Sequence, residues 1–226
     1  MTEDEQAFPP ARYGLLLLAL IATYLVSAFT HSRWGGAVHV AFVTAVALIA
    51  LRRTPRPWPR LLRLAVGAGL VVAAAAAVGA ASDNATAEGL ADAWDALILL
   101  AVVILIVDRV VRMDEVTIQS IYGALSAYLL IGLMFAAWFG AIGFLAPEPF
   151  FAKSQPVNTE TLQYFSFTTL TTLGYGDFTA AGSVGRAVAV IEALTGQIFL
   201  ATLVARLVSA TRPRGRPPRQ RPDDDG

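Results

Sequence analysis

Apolar residues gather in six long blocks, at about residues 13–30, 36–51, 61–81, 91–111, 118–145 and 184–209, with polar or arginine-rich stretches between them. Crossing the hydrocarbon core of a bilayer takes about 20 predominantly apolar residues in a helix. The blocks are therefore predicted to be membrane spans, the second being the shortest. A seventh segment, residues 159–171, is apolar and aromatic but too short to span. Between two long blocks it fits a re-entrant helix, which membrane proteins accommodate when it is buried in protein. The pattern predicts an all-α integral membrane protein: four N-terminal transmembrane helices, then a two-helix module with a re-entrant helix between its spans.

Of the 226 residues, 56% are hydrophobic and 15% charged, where a soluble globule carries about a quarter charged residues. The chain has no cysteine, which excludes disulfides and thiolate metal sites. No Ser/His/Asp set, metal cluster or nucleotide loop is legible, so neither enzymatic activity nor a cofactor is expected. The first block follows an acidic leader, Glu3-Asp4-Glu5, and no clear small-residue cleavage site succeeds it. It is expected to stay as a helix rather than serve as a signal peptide.

Net charge is zero, but its distribution is uneven. Arg52, Arg53, Arg56, Arg60 and Arg63 join the second and third blocks, and Arg206, Arg212, Arg214, Arg216, Arg219 and Arg221 cluster at the C-terminal end. Basic residues mark the cytoplasmic side. Six spans with both termini inside put these clusters, with Arg12, Arg109 and Arg112, in the cytoplasm, which is fourteen of the seventeen basic residues. Arg33, Lys153 and Arg186 then lie outside, along with Asp83, Glu88 and Asp92. The expected location is the plasma (inner) membrane of the cell. The tail, 211–226, alternates arginine with proline and glycine and ends in Asp223-Asp224-Asp225, a composition predicted to be disordered. Topology and attraction to anionic membrane lipids account for its charge, with no call for nucleic acid.

Between the re-entrant segment and the last span the chain reads Thr171-Thr172-Leu173-Gly174-Tyr175-Gly176-Asp177. A potassium-selective pore replaces an ion's hydration shell with rings of backbone carbonyls. Aiming successive carbonyls at one axis takes a backbone that alternates ordinary with left-handed residues, and Gly174 and Gly176 supply the latter without steric cost. Thr172 can add a hydroxyl ring at the inner end. Leu173 and Tyr175 are expected to point backwards and brace the loop against packed helices.

The heptad resembles the signature of tetrameric potassium channels, Thr-Val-Gly-Tyr-Gly. Leu173 replaces valine at a position that contributes its carbonyl rather than its side chain. The resemblance is to small bacterial channels and covers a pore domain of residues 116–210. Its parts are an outer helix (116–145), a pore helix (159–171), a selectivity filter (172–177) and an inner helix (184–209). It implies that Thr172, Leu173, Gly174 and Tyr175 hold K+ as the permeant ion and that Gly176 forms the outer mouth. One loop per chain implies a homotetramer, three further copies being needed to close the ring. A potassium transporter subunit would carry four such loops in one chain, and a nonselective cation channel is at odds with an intact filter.

Around the filter, Asn158 or Thr159 can cap the pore helix. The negative end of its dipole then favours a cation. Tyr164 and Phe165 fall where relatives carry two aromatics that buttress the filter. Thr168 takes a position that is glutamate in some bacterial relatives, where it pairs with the filter aspartate. Threonine cannot make that pair, so Asp177 is expected to find Tyr164 or a backbone amide; Thr171 completes the support. In the inner helix Gly196 can act as a gating hinge or allow close packing. Glu192, one turn earlier, is an ionisable residue in mid-span and so a functional candidate. It can hydrogen-bond behind the pore helix, stay protonated or face the cavity. Thr202 to Val208 is expected to line the inner gate, with Arg206 meeting the cytoplasm or lipid headgroups.

Residues 1–12 form a cytoplasmic tail and 13–112 a four-helix module in the position of a voltage sensor. A charge moved across the membrane is worth only about 2.3 kcal/mol per 100 mV, so a strong sensor needs several arginines. The fourth block has none before Arg109 and Arg112, which Asp108 accompanies. Weak or absent voltage gating is therefore expected. Asp92 and Asp95 could pair with Arg33, isolated His31 and His39 read as structural, and residues 113–117 would couple the module to the pore.

Overall fold

The computed structural model describes residues 13–29, 84–112 and 117–210. The expected second and third spans, the arginine cluster between them, His31, Arg33, His39, residues 113–116 and both tails lie outside the described residues. Five helices follow in order: α1 (Tyr13–Phe29), α2 (Ala85–Val111), α3 (Ile118–Leu145), α4 (Thr159–Leu170) and α5 (Ser183–Ala210). Three of them, α2, α3 and α5, are long and apolar enough to cross a membrane. The described residues are thus mainly helical, with three helices fit to cross a membrane.

Local chemistry sets the helix starts. α2 begins six residues before its apolar block because Asn84 caps it, accepting from the Ala87 amide at 3.2 Å, with Glu88 in the first turn. Side-chain caps of this kind satisfy amides that have no partner inside the helix. α3 opens on a reciprocal capping box between Thr117 and Ser120.

The α2 residues Leu99, Val102, Ile106 and Val110, spaced three or four apart, are buried and join one apolar core with α3. α1 crosses α3 with Tyr13 and Leu20 buried. Its Tyr13 amide donates to Gln119 Oε1 at 3.2 Å, and the Arg109 guanidinium lies 6.0 Å from the Tyr13 ring. Farther along, Tyr24 meets Phe167 of α4 edge-on at 5.0 Å. α4 is seated against α3 by interlocked rings, Phe165 lying 4.9 Å from Phe139 and 5.7 Å from Phe151.

α5 is covered along one narrow stripe only. Gly185, Glu192 and Gly196 are buried, with Phe199 and Leu203 partly so, while Val190, Ile191, Leu194 and Ile198 are exposed. Arg206 does not simply extend towards solvent or headgroups: its Nη1 donates to the carbonyl of Val110. That oxygen belongs to the last turn of α2, where carbonyls lack intrahelical partners and attract cations. The C-terminal ends of α2 and α5 therefore lie side by side.

Candidate functional site

The site is built on α4. Asn158 caps the helix, accepting from the Thr161 amide at 2.9 Å, while Thr161 Oγ1 accepts from the Asn158 amide at 3.1 Å. The helix closes at Leu170, one residue short of the expected end. Thr171 is its C-cap, with a hydroxyl that donates to Phe167 O at 2.7 Å. The loop then folds back on the helix end: the amides of Leu173 and Gly174 both donate to Thr168 O, at 2.8 and 3.1 Å, and that of Thr172 to Thr169 O at 2.9 Å.

From there the backbone alternates. Thr172, Gly174 and Gly176 have φ of 58°, 52° and 80°, whereas Leu173 and Tyr175 between them keep ordinary negative values. This is the alternation that a row of co-directed carbonyls requires. The glycines carry no sequence surprise, but Thr172 does. A β-branched residue at positive φ is an outlier costing roughly 1–3 kcal/mol, and such strain gathers at functional sites. Nothing in its residue type signals that conformation.

The outer end is tied by hydrogen bonds. Tyr164 donates its hydroxyl to Asp177 Oδ2 at 2.8 Å, and the Phe178 amide donates to Oδ1 at 3.1 Å. Asp177 thus takes both partners that the sequence offered it. The Tyr164 hydrogen bond holds the Asp177 carboxyl below the usual carboxylate range, and the same bond pushes the Tyr164 phenol up to about 12. Gln155, which sequence reading missed, donates to the Asp177 carbonyl at 2.5 Å. An isolated antiparallel bridge between Phe151 and Ala180 clasps the α3–α4 connection to the segment leaving the loop. Phe165 is buried in the ring cluster beneath, and Thr168 donates its hydroxyl to Phe165 O at 3.0 Å instead of reaching Asp177.

Among the described residues no packed helix braces Leu173 and Tyr175, which are 54% and 68% exposed.

At the inner end, a methyl group added at Gly196 would collide with Leu170 O. α5 passes Gly196 unbroken, so the close-packing role has direct geometric support. Gln197, also missed in the sequence, donates to Thr172 Oγ1 at 3.3 Å. A lone carboxamide between a glycine and a run of apolar residues was the available signal. Glu192 lies behind α4, fully buried, with Oε1 at 2.5 Å from Ser166 Oγ. Of its three expected placements, the cavity-facing one is not adopted.

Residues 128–212 match a family model described as ion channel. The match takes in most of α3, all of α4, the loop and all of α5. No curated protein and no solved structure matches the chain. The family match and the apolar helices support an ion channel in a membrane.

Proposed function

We propose that four copies of this chain form a potassium-selective channel that conducts K+ passively across the plasma membrane. In this reading residues 172–177 are the selectivity filter, and Thr172, Leu173, Gly174 and Tyr175 offer the ion their carbonyls. The observation that carries it is the alternation of left-handed residues at 172, 174 and 176. A dehydrated cation needs closely spaced oxygens in place of its water, and this backbone is the conformation that can present them in a row. The strained threonine adds weight, since an ordinary turn between two helices has no use for it.

Assembly follows from the same segment. One loop supplies one wall of a pore, and Leu173, Tyr175 and the outer face of α5 lack cover within the chain. Three further copies would close the ring, and lipid would cover what stays outside. Both termini are assigned to the cytoplasm by the arginine distribution. With no basic residue in the fourth block before Arg109, and only Arg112 just past its end, voltage dependence is weak or absent.

The test is the reversal potential of the purified protein in liposomes, with potassium on one side and sodium on the other. The expected value lies near the potassium equilibrium potential. A robust current reversing near zero would replace this reading with a nonselective cation channel.

A further inference from the structure

Glu192 is 0% exposed in the middle of α5, with Oε1 2.5 Å from Oγ of Ser166 on α4. The same Oγ lies 2.6 Å from the carbonyl oxygen of Gly132 on α3. A serine hydroxyl has one proton to donate and lone pairs to accept with. A backbone carbonyl has none to give, so the contact with Gly132 uses the serine's proton. The contact with Glu192, at O–H···O distance, then needs a proton from the carboxyl. An ionised Glu192 would leave one of these two short oxygen pairs with no hydrogen in it. Oε2 agrees with that count. Among the described residues it has no hydrogen-bond partner, which the carbonyl oxygen of a neutral acid tolerates far better than a charge buried in a bilayer. The titratable group facing Glu192 from α3 is Tyr128, which donates to Leu170 O at 3.3 Å and brings no positive charge.

We propose that Glu192 is held as a neutral carboxylic acid that donates its proton to Ser166, so that Glu192, Ser166 and Gly132 form one hydrogen-bonded chain across α5, α4 and α3. Ser166 stands one turn before Leu170, whose carbonyl abuts Gly196. The chain therefore fixes the depth and rotation of the helix that carries the loop. Glu192 acts on the ion path through Ser166 as a positioning residue and lends no charge to the cavity. Its effect on conduction rests on the channel reading; its protonation does not.

Two measurements on the full-length protein in liposomes test this. In infrared spectra the wild type should absorb in the protonated-carboxyl C=O region, with a band that shifts in heavy water and persists from about pH 5 to about pH 9. Glu192→Gln should abolish that band. In potassium uptake, Glu192→Gln keeps a donor in place and should stay within about twofold of wild type, whereas Glu192→Leu and Ser166→Ala should each lose roughly tenfold. Identical carboxyl bands in wild type and Glu192→Gln, or a band that disappears as pH rises before it reaches about 7, would overturn the neutral acid. Glu192→Gln as defective as Glu192→Leu, with helicity unchanged, would overturn the donor role. Should the wild type itself pass no potassium, the channel reading fails and the infrared result still decides where the proton is.

Discussion

α3 and α5 are both 28 residues long and both apolar enough to span a membrane, yet they are used in opposite ways. Of the apolar span of α3, 56% is buried within the chain, against 11% for α5. α3 takes α2 on one side, α1 on another and α4 on a third. α5 meets the rest of its own chain along one stripe and leaves the opposite face bare. Apolarity thus commits a helix to the membrane without saying whether protein or lipid will cover it. The division also separates a shoulder packed together among the described residues from a rim of α5 and the loop that is complete only with neighbours in the channel reading.

The largest effect should come from the shoulder. Phe139→Ala removes a ring that touches three other aromatics at full burial and should cost about 3–5 kcal/mol in unfolding experiments. Leu194→Ala, on the face of α5 that the described residues leave exposed, should change the stability of the chain by under about 0.5 kcal/mol while lowering the tetramer fraction that the channel reading expects in native mass spectrometry. Equal losses from the two substitutions would dissolve the distinction.

Next comes the stripe itself. Gly196→Ala drives a methyl group into a backbone oxygen and should cost on the order of 1–3 kcal/mol, read as reduced thermal stability together with slower potassium uptake. A pure hinge would lose gating alone and keep its stability. Smaller again is Gly174→Ala, which forces an L side chain into the left-handed region at roughly 1–2 kcal/mol and should move the reversal potential towards zero. Gly182→Ala, with ordinary φ and open space around it, is the matched control and should leave both readings unchanged.

The smallest effect is expected at the outer tie. Asp177 has a depressed pKa, so its bond with Tyr164 is complete above the ordinary aspartate range and is lost as pH falls through the lowered value. Tyr164 is raised to about 12, so the bond persists above the ordinary tyrosine value and is lost as pH rises through about 12. Uptake should therefore be flat from about pH 5 to about pH 9. Tyr164→Phe should shorten the time for which steady current is sustained, with little change in the initial rate.

Much of this was legible before any coordinates. The extents of α1, α3 and α5 follow from the lengths of their apolar blocks, because a bilayer admits few other ways to place them. The Tyr164–Asp177 bond was legible from what Thr168 cannot do. The early start of α2 was not, because a single capping residue, Asn84, outweighed the polar Thr86 and Glu88 and the glycine after it. Nor was the left-handed Thr172, since that conformation is imposed by amides folding back on the end of α4 and not by residue type. Gln155 and Gln197 escaped for a related reason: a carboxamide becomes informative only when its partner, a loop carbonyl or a threonine hydroxyl, is known to be within reach.

The bond from Arg206 to Val110 also bears on how the protein is made. The two residues are 96 positions apart, and every element of the site lies between them. A ribosome releases Val110 long before Arg206, so the contact cannot close until the whole intervening stretch has been synthesised and both helices end on the same face of the membrane. A chain whose last helix was inserted the wrong way round would leave that guanidinium on the far side from its carbonyl. The contact thus joins the final helix to one synthesised well before it.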